Sequence, residues 1–185
     1  MKKEITFKEL KNSGYTNKSI SKEIQENLIA RIQAKKPVFE GLFGYEDSVV
    51  PQLKKAILAG HHINLLGLRG QAKTKIARSM VDLLDEYIPI VKGSEINDSP
   101  FQPISKYARD LIAELGDNTP IDWVHRSDRF FEKLATPDVN VSDLIGDIDP
   151  IKAATLKLPY SDERVLHYGM IPRANRSIFV LNELP

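Results

Sequence analysis

The stretch that most limits the possible fold is Ile63–Met80, INLLGLRGQAKTKIARSM. Its order predicts a short apolar strand at Ile63–Leu66, a glycine-containing loop, a Lys-Thr pair and a helix. Ile76, Met80, Leu83, Leu84 and Tyr87 recur at helical spacing, and Pro89 is expected to close that helix. Strand, loop and helix in this order match a phosphate-binding loop, whose pattern is Gly, four residues, Gly, Lys, then Ser or Thr. Gly67 takes the first position and Lys73-Thr74 the last two, while Ala72 stands where the second glycine is usual. Gly70 inside the loop supplies some of the missing freedom.

The chemistry needs these residue types in this order. Consecutive backbone N–H groups of Gly67, Leu68, Arg69, Gly70, Gln71, Ala72, Lys73, Thr74 and Lys75 would turn toward a phosphate. The start of the following helix would add partial positive charge. Lys73 would reach the β- and γ-phosphates of ATP as a point charge, and the Thr74 hydroxyl would ligate Mg²⁺. Ala72 is strained if its φ is positive and costs little in right-handed helical space. Its place directly before a strong helix favours the second case.

A second constellation lies about 110 residues on. Ile178-Phe-Val-Leu181 is an apolar strand followed by Asn182-Glu183. In phosphate-loop enzymes such a strand ends in an acid that orients Mg²⁺ through water, often followed by a Glu that activates the attacking water. Asn182 can accept a hydrogen bond from a metal-bound water but lacks the charge of an Asp. Glu183 remains available as a general base.

Charge excludes a general polyanion binder, since the net charge is +1. Residues 1–37 nevertheless hold nine Lys/Arg against four Glu, which leaves the remainder at −4. There is no cysteine, so disulfides and thiolate metal sites are excluded. The chain has no apolar core of signal-peptide length and no apolar run near the ~20 residues of a membrane span. A cytoplasmic protein is expected.

Along the rest of the chain, Thr6 and Glu9 fit a capping box for a first short helix that stops at Gly14. Ile20, Ile24, Leu28 and Ile32 mark a second helix, and Lys35-Lys36-Pro37 a linker. Val50, Leu53 and Ile57 predict a helix with Pro51 in its first turn and Gly60 at its end. Residues 93–103 read as a loop. Pro103 is expected to open a helix with Ile104, Tyr107, Leu111 and Leu115 inward and Gly116 as its cap. Strands are expected at Ile121–His125, Glu163–Tyr168 and a buried Ser177–Asn182. Between them, Phe130, Phe131 and Leu134 suggest a short amphipathic piece, residues 136–150 a loop, and Pro150 a helix start.

Four stretches resemble the AAA+ ATPases of the magnesium chelatase I-subunit and MoxR type. FEGLFGYEDSVVPQLKKAI is similar to the family's opening segment, GLRGQAKTKIAR to its Walker A motif, and KLATPDVNVSDLIGDIDPIKA to its Ala-Thr-x-Asp block. GMIPRANRSIFVLNELP resembles the block that leads through an insertion and a helix into Walker B. The resemblance covers residues from about 38 to 185; its departures are Ala72 for Gly, Ser177 for Gly and Asn182 for Asp. It implies an α/β P-loop NTPase, a three-layer core around a parallel sheet, preceded by a helical segment at residues 1–37. It also implies that Gly44 and Tyr45 border the adenine, that ATP and Mg²⁺ are the cofactors, and that the complete protein forms a homo-oligomeric ring acting on a client protein. Because the sensor-1 strand, the arginine finger and the lid follow Walker B in that family, the chain looks like the N-terminal half of such a module. Whether this half hydrolyses ATP stays open. Two alternatives remain: a non-catalytic interaction or oligomerisation module, and a DNA-associated motor whose only support is the basic N-terminus.

Overall fold

The structure, a computed structural model, describes residues 5–183, so the basic start at 1–4 and the final residues 184–185 lie outside the described residues. The chain divides into two compact units, one of residues 18–86 and one that joins 1–17 to 87–185. The described residues form a mixed α/β protein with three small sheets, one of them parallel. All the described strands belong to the second unit.

The 18–86 unit is built around helix α2 (Ile20–Gln33), capped by Ser19, whose hydroxyl accepts from the Lys22 N–H at 3.3 Å. The expected stripe is borne out at Ile24 and Leu28, which are buried, whereas Ile32 is 42% exposed. Polar groups of α2 also hold the segment at 82–85. Asn27 Nδ2 donates to the Leu83 carbonyl at 3.0 Å and Arg31 to the Asp82 carbonyl at 2.9 Å, while buried Glu23 accepts from the Asp85 N–H at 2.7 Å. Helix α3 (Val49–Leu58) buries Leu53 and Ile57 as its spacing predicts.

Two expectations are corrected in this unit. Residues 63–66 form no strand, and Leu66 is 87% exposed. A strand needs a ladder partner, and no strand forms among the described residues of this unit. Helix α4 (Lys73–Ser79) is also shorter than its apolar stripe predicts: it gives way to a single 3-10 turn at Met80–Leu83 and then to extended backbone at Leu84. Leu83 and Leu84 are buried, but through that turn rather than along a continuous helix face.

In the other unit a Thr6–Glu9 capping box starts helix α1 (Phe7–Asn12), as expected. Phe7 and Leu10 pack with Ile121, flanked by Ile5, Tyr15, Phe101, Ile112 and Trp123. Above this cluster lies an antiparallel sheet in the order β1 (Ile5–Thr6), β3 (Pro120–His125), β2 (Tyr87–Val91). Tyr87–Val91 is thus a strand, not the end of a helix. Its β-branched and aromatic residues favour that state, and Pro89 is tolerated because β2 is an edge strand.

Asp98, fully buried, organises the loop that follows. Its carboxylate accepts from the N–H groups of Ile104 (2.6 Å) and Ser105 (3.0 Å) and from the hydroxyls of Ser94 (2.7 Å) and Ser105 (2.6 Å). Ser105 then caps helix α5 (Lys106–Leu115), accepting from the Ala108 N–H at 3.1 Å. The helix therefore starts three residues after Pro103, and its inner face is Ala108 and Ile112. Ile104, Tyr107 and Leu115, expected inward, are exposed. Gly116 ends the helix as expected.

Strands β4 (Phe130–Leu134) and β7 (Ile178–Asn182) pair in parallel, in register from Phe130↔Ile178 to Leu134↔Asn182. The amphipathic piece at 130–134 is therefore a strand, and β7 is half-buried rather than buried. Parallel strands need a crossover. Residues 135–177 supply it with α6 (Val141–Ile145), β5 (Gly146–Ile148), α7 (Pro150–Leu156), β6 (Leu166–Tyr168) and α8 (Met170–Arg173). Helix α7 starts at Pro150 as expected, capped by Asp149, but the expected loop at 136–150 holds α6 and β5. The predicted strand at 163–168 keeps only 166–168. Asp162 caps a 3-10 turn over Glu163–Val165, and Glu163 turns to α5, accepting from the Lys106 N–H (2.7 Å) and Arg109 (2.9 Å). Burial, with Glu163 beside it, pushes the Tyr168 phenol up to about 12.

Two residues fix this crossover. Fully buried Arg129 donates through Nε (3.0 Å) and Nη2 (2.7 Å) to the Arg176 carbonyl, and its own carbonyl accepts from the Ile178 N–H at 2.9 Å. Gly146 has φ +111, and a Cβ there would collide with the His167 carbonyl on the paired strand. Replacing Arg129 by Met should lower stability by about 3 kcal/mol, because a buried carbonyl loses charged donors. Gly146→Ala should cost about 1–3 kcal/mol. Thermal denaturation checks both, and for Gly146→Ala limited proteolysis should show cleavage concentrated within 135–177.

Candidate functional site

The phosphate-loop candidate lies wholly in the 18–86 unit. Gly67 has φ +156 and Gly70 φ +82, so the loop turns through backbone conformations that L-residues rarely adopt. Gln71 folds back across it, its Oε1 accepting from the Leu68 N–H at 2.9 Å. A side chain at Gly67 would collide with that Gln71 oxygen, so glycine is required there by contact as well as by φ. Lys73 Nζ donates to the carbonyls of Gly67 and Leu68, each at 2.7 Å. Its charge therefore sits over the loop rather than out in solvent.

Ala72 lies in the left-handed region, with φ 54 and ψ 17. The expectation that it occupies right-handed helical space is thus corrected. It is the N-cap of α4 and its carbonyl accepts from the Ile76 N–H at 2.9 Å, so the reversal that ends the loop falls on Ala72 itself. The usual glycine position is the one whose backbone needs a glycine-like conformation. Thr74 and Lys75, on the first turn, are exposed, as are Arg69, Gly70 and Gln71. From Gly67 to Arg78 the segment carries four basic residues and no acid.

The opening segment joins this loop. Lys75 Nζ donates to the Gly41 carbonyl at 2.5 Å, linking α4 to the 38–45 stretch. Gly44 has φ +80, and the Tyr45 carbonyl accepts from the N–H groups of Ser48 (3.3 Å) and Val50 (3.0 Å) at the start of α3. Gly44 and Tyr45 therefore belong to the same unit as the loop. Gly41 was not among the expected site residues, and its neighbours in sequence give no sign of the contact.

The acidic candidate lies in the other unit, at the end of β7. Asn182 continues the ladder, its carbonyl accepting from the Ala135 N–H at 2.8 Å. Its side-chain Nδ2 donates to Glu132 Oε1 at 2.5 Å. Glu132 faces Val180 in the register and Asn182 faces Leu134, so the two polar side chains share one face as a diagonal pair. Glu183, next in sequence, is exposed and has φ 55. Sequence reasoning missed Glu132. The only signal is that Glu132 alternates with Phe131 and Lys133 in FFEKL, which becomes informative once β4 is known to be a strand against β7.

Thr74 offers a hydroxyl in the 18–86 unit; Asn182, Glu132 and Glu183 lie in the other unit. Among the described residues there is no group of three or more His, Asp or Glu that could hold a metal by itself. No protein family, no curated protein and no solved structure matches the chain.

Because Ala72 is held in the left-handed region, Ala72→Gly should stabilise the protein by about 0.5–1 kcal/mol, whereas β-branched Ala72→Val should destabilise it. Thermal denaturation of the two variants decides; a stabilising valine would contradict the φ assigned to this residue.

Proposed function

We propose that this chain binds ATP and Mg²⁺ as part of an AAA+ ATPase module similar to the magnesium chelatase I-subunit and MoxR proteins. The observation that carries the reading is the curled Gly67–Lys73 loop with the Lys73 ammonium laid on it. Positive φ at Gly67, Gly70 and Ala72 curls the loop, and a lysine over it adds the positive charge a polyphosphate requires. In this reading Lys73 neutralises the β- and γ-phosphates and Thr74 ligates Mg²⁺. Gly44 and Tyr45 flank the base. The resemblance gives Asn182 the metal-bound water and Glu183 the attacking water, which Glu183 would deprotonate as general base. Bound Mg²⁺ would neutralise charge on the phosphates. In the complete protein, ring assembly and hydrolysis would drive remodelling of a client protein in the cytoplasm, for metal insertion or cofactor maturation.

A second reading, an interaction module without catalysis, is favoured by apolar side chains on the crossover: Val141, Ile145 and Ile151 are 71%, 61% and 76% exposed. The reading as a DNA-associated motor is weakened by the ion pairs of the basic N-terminal segment. Lys11 pairs with Asp117 at 2.6 Å and Lys18 with Glu26 at 2.7 Å, which neutralises part of the charge that would meet phosphates. Among the described residues no helix is long and apolar enough to cross a membrane.

A ligand at about a hundred times its dissociation constant stabilises a protein by about 2.7 kcal/mol. Mg²⁺-ATP should therefore raise the melting temperature of the wild-type chain, and Lys73→Ala should abolish the rise. An equal rise in the Lys73→Ala variant would sink the assignment. No rise in the wild type at millimolar ATP, together with oligomers on sizing, would favour the interaction module.

A further inference from the structure

We infer that Gln71 is an internal occupant of the phosphate loop, a neutral side chain that holds the place of a phosphate oxygen until a polyanion displaces it; the inference rests on the ATP reading above and concerns the regulation of that same site. The Gly67–Leu68 peptide group is held at both ends by side chains of the loop. Its carbonyl, that of Gly67, accepts from Lys73 Nζ at 2.7 Å, and its N–H, that of Leu68, donates to Gln71 Oε1 at 2.9 Å. The Gln71 oxygen thus takes up a backbone donor of the kind that a phosphate-binding loop turns toward its ligand. Gly67 lets the amide come this close, because a Cβ there would collide with that oxygen.

Such an occupant is easily displaced. Gln71 is exposed and bonds three residues back along the chain, so its release needs a change of rotamer and no opening of the core. Its amide oxygen carries no net charge, whereas a hydrogen bond from a backbone N–H to an ionised phosphate oxygen is roughly twice as strong. The four basic residues between Gly67 and Arg78, with no acid among them, attract a polyanion and do nothing for a neutral amide. A polyphosphate therefore exchanges for Gln71, and a neutral or weakly charged ligand does not. Gln71 in this way raises the ligand concentration at which the loop fills.

The test is titration calorimetry of the full chain with ATP and, separately, with inorganic tripolyphosphate, at one fixed Mg²⁺ concentration. Gln71→Met keeps the length of the side chain and removes the acceptor. It should tighten binding of both ligands by about three- to tenfold, the scale of one neutral hydrogen bond released from competition. The factor should be the same for each ligand, because Gln71 competes with phosphate and not with the base. Gln71→Glu keeps an acceptor for the Leu68 N–H and adds a negative charge, and should weaken both. Wild-type affinity or weaker binding in Gln71→Met overturns the inference and leaves the ATP reading standing, as does a tightening confined to ATP. Should Gln71→Met melt at lower temperature without ligand, Gln71→Ala decides in its place: the same tightening supports the inference, and its absence overturns it. If neither the wild type nor Gln71→Met binds either ligand, the ATP reading falls and the inference with it.

Discussion

A buried arginine holding a backbone carbonyl underlies the arrangement at the acidic strand end. Arg129 sits at the start of β4, and its guanidinium grips the carbonyl of Arg176 just before β7. Arg176 is forced to φ 56, an unfavourable conformation for a non-glycine residue, and the charged hydrogen bonds offset that cost. Its own guanidinium reaches the Pro89 carbonyl at 2.7 Å, on the edge strand of the antiparallel sheet. One carbonyl and two arginines thus tie the parallel pair to that sheet and set the register from its first residue. Four residues later the same register puts Asn182 diagonal to Glu132. A slip of one residue would send the Asn182 side chain to the other face and leave Glu132 beside an apolar neighbour.

The legible parts of the sequence were those fixed by local chemistry. The Thr6–Glu9 capping box, the Asp149-Pro150 helix start, the Gly116 stop and the strand at Ile121–His125 depend on residues within a few positions of one another, and the structure has them all. What could not be read depended on partners distant in sequence. Ile63–Leu66 has the composition of a strand but no ladder to join in its unit. Tyr87 continues the helical spacing of Ile76 and Met80, yet residues 87–91 gain more by pairing with β3 along a five-residue register. Ile104 and Tyr107 lost their expected inward places because Asp98 takes the Ile104 N–H, which keeps that residue in the capping loop and shifts the buried face to Ala108.

The two candidate sites were legible to different degrees for the same reason. The loop residues Gly67, Gly70, Lys73 and Thr74 are contiguous, so their types and spacing suffice to raise the phosphate reading. The backbone of Ala72 is not visible in this way. Its conformation depends on how the loop closes onto α4, and the closure demands a positive φ at the residue where glycine is usual. A methyl group in that conformation is a tolerable cost of order 1 kcal/mol.

At the strand end the sequence has Asn182 where the resembled family has Asp, and the structure shows that the Asn182 amide meets Glu132. An isolated Asn182 could turn its amide either way, because the two ends of the group are nearly the same size. Beside a carboxylate the choice is removed. Only the nitrogen end can face Glu132, and the oxygen must face elsewhere. The pair is therefore oriented by the strand pairing itself, which sets Asn182 and Glu132 on one face of the parallel sheet.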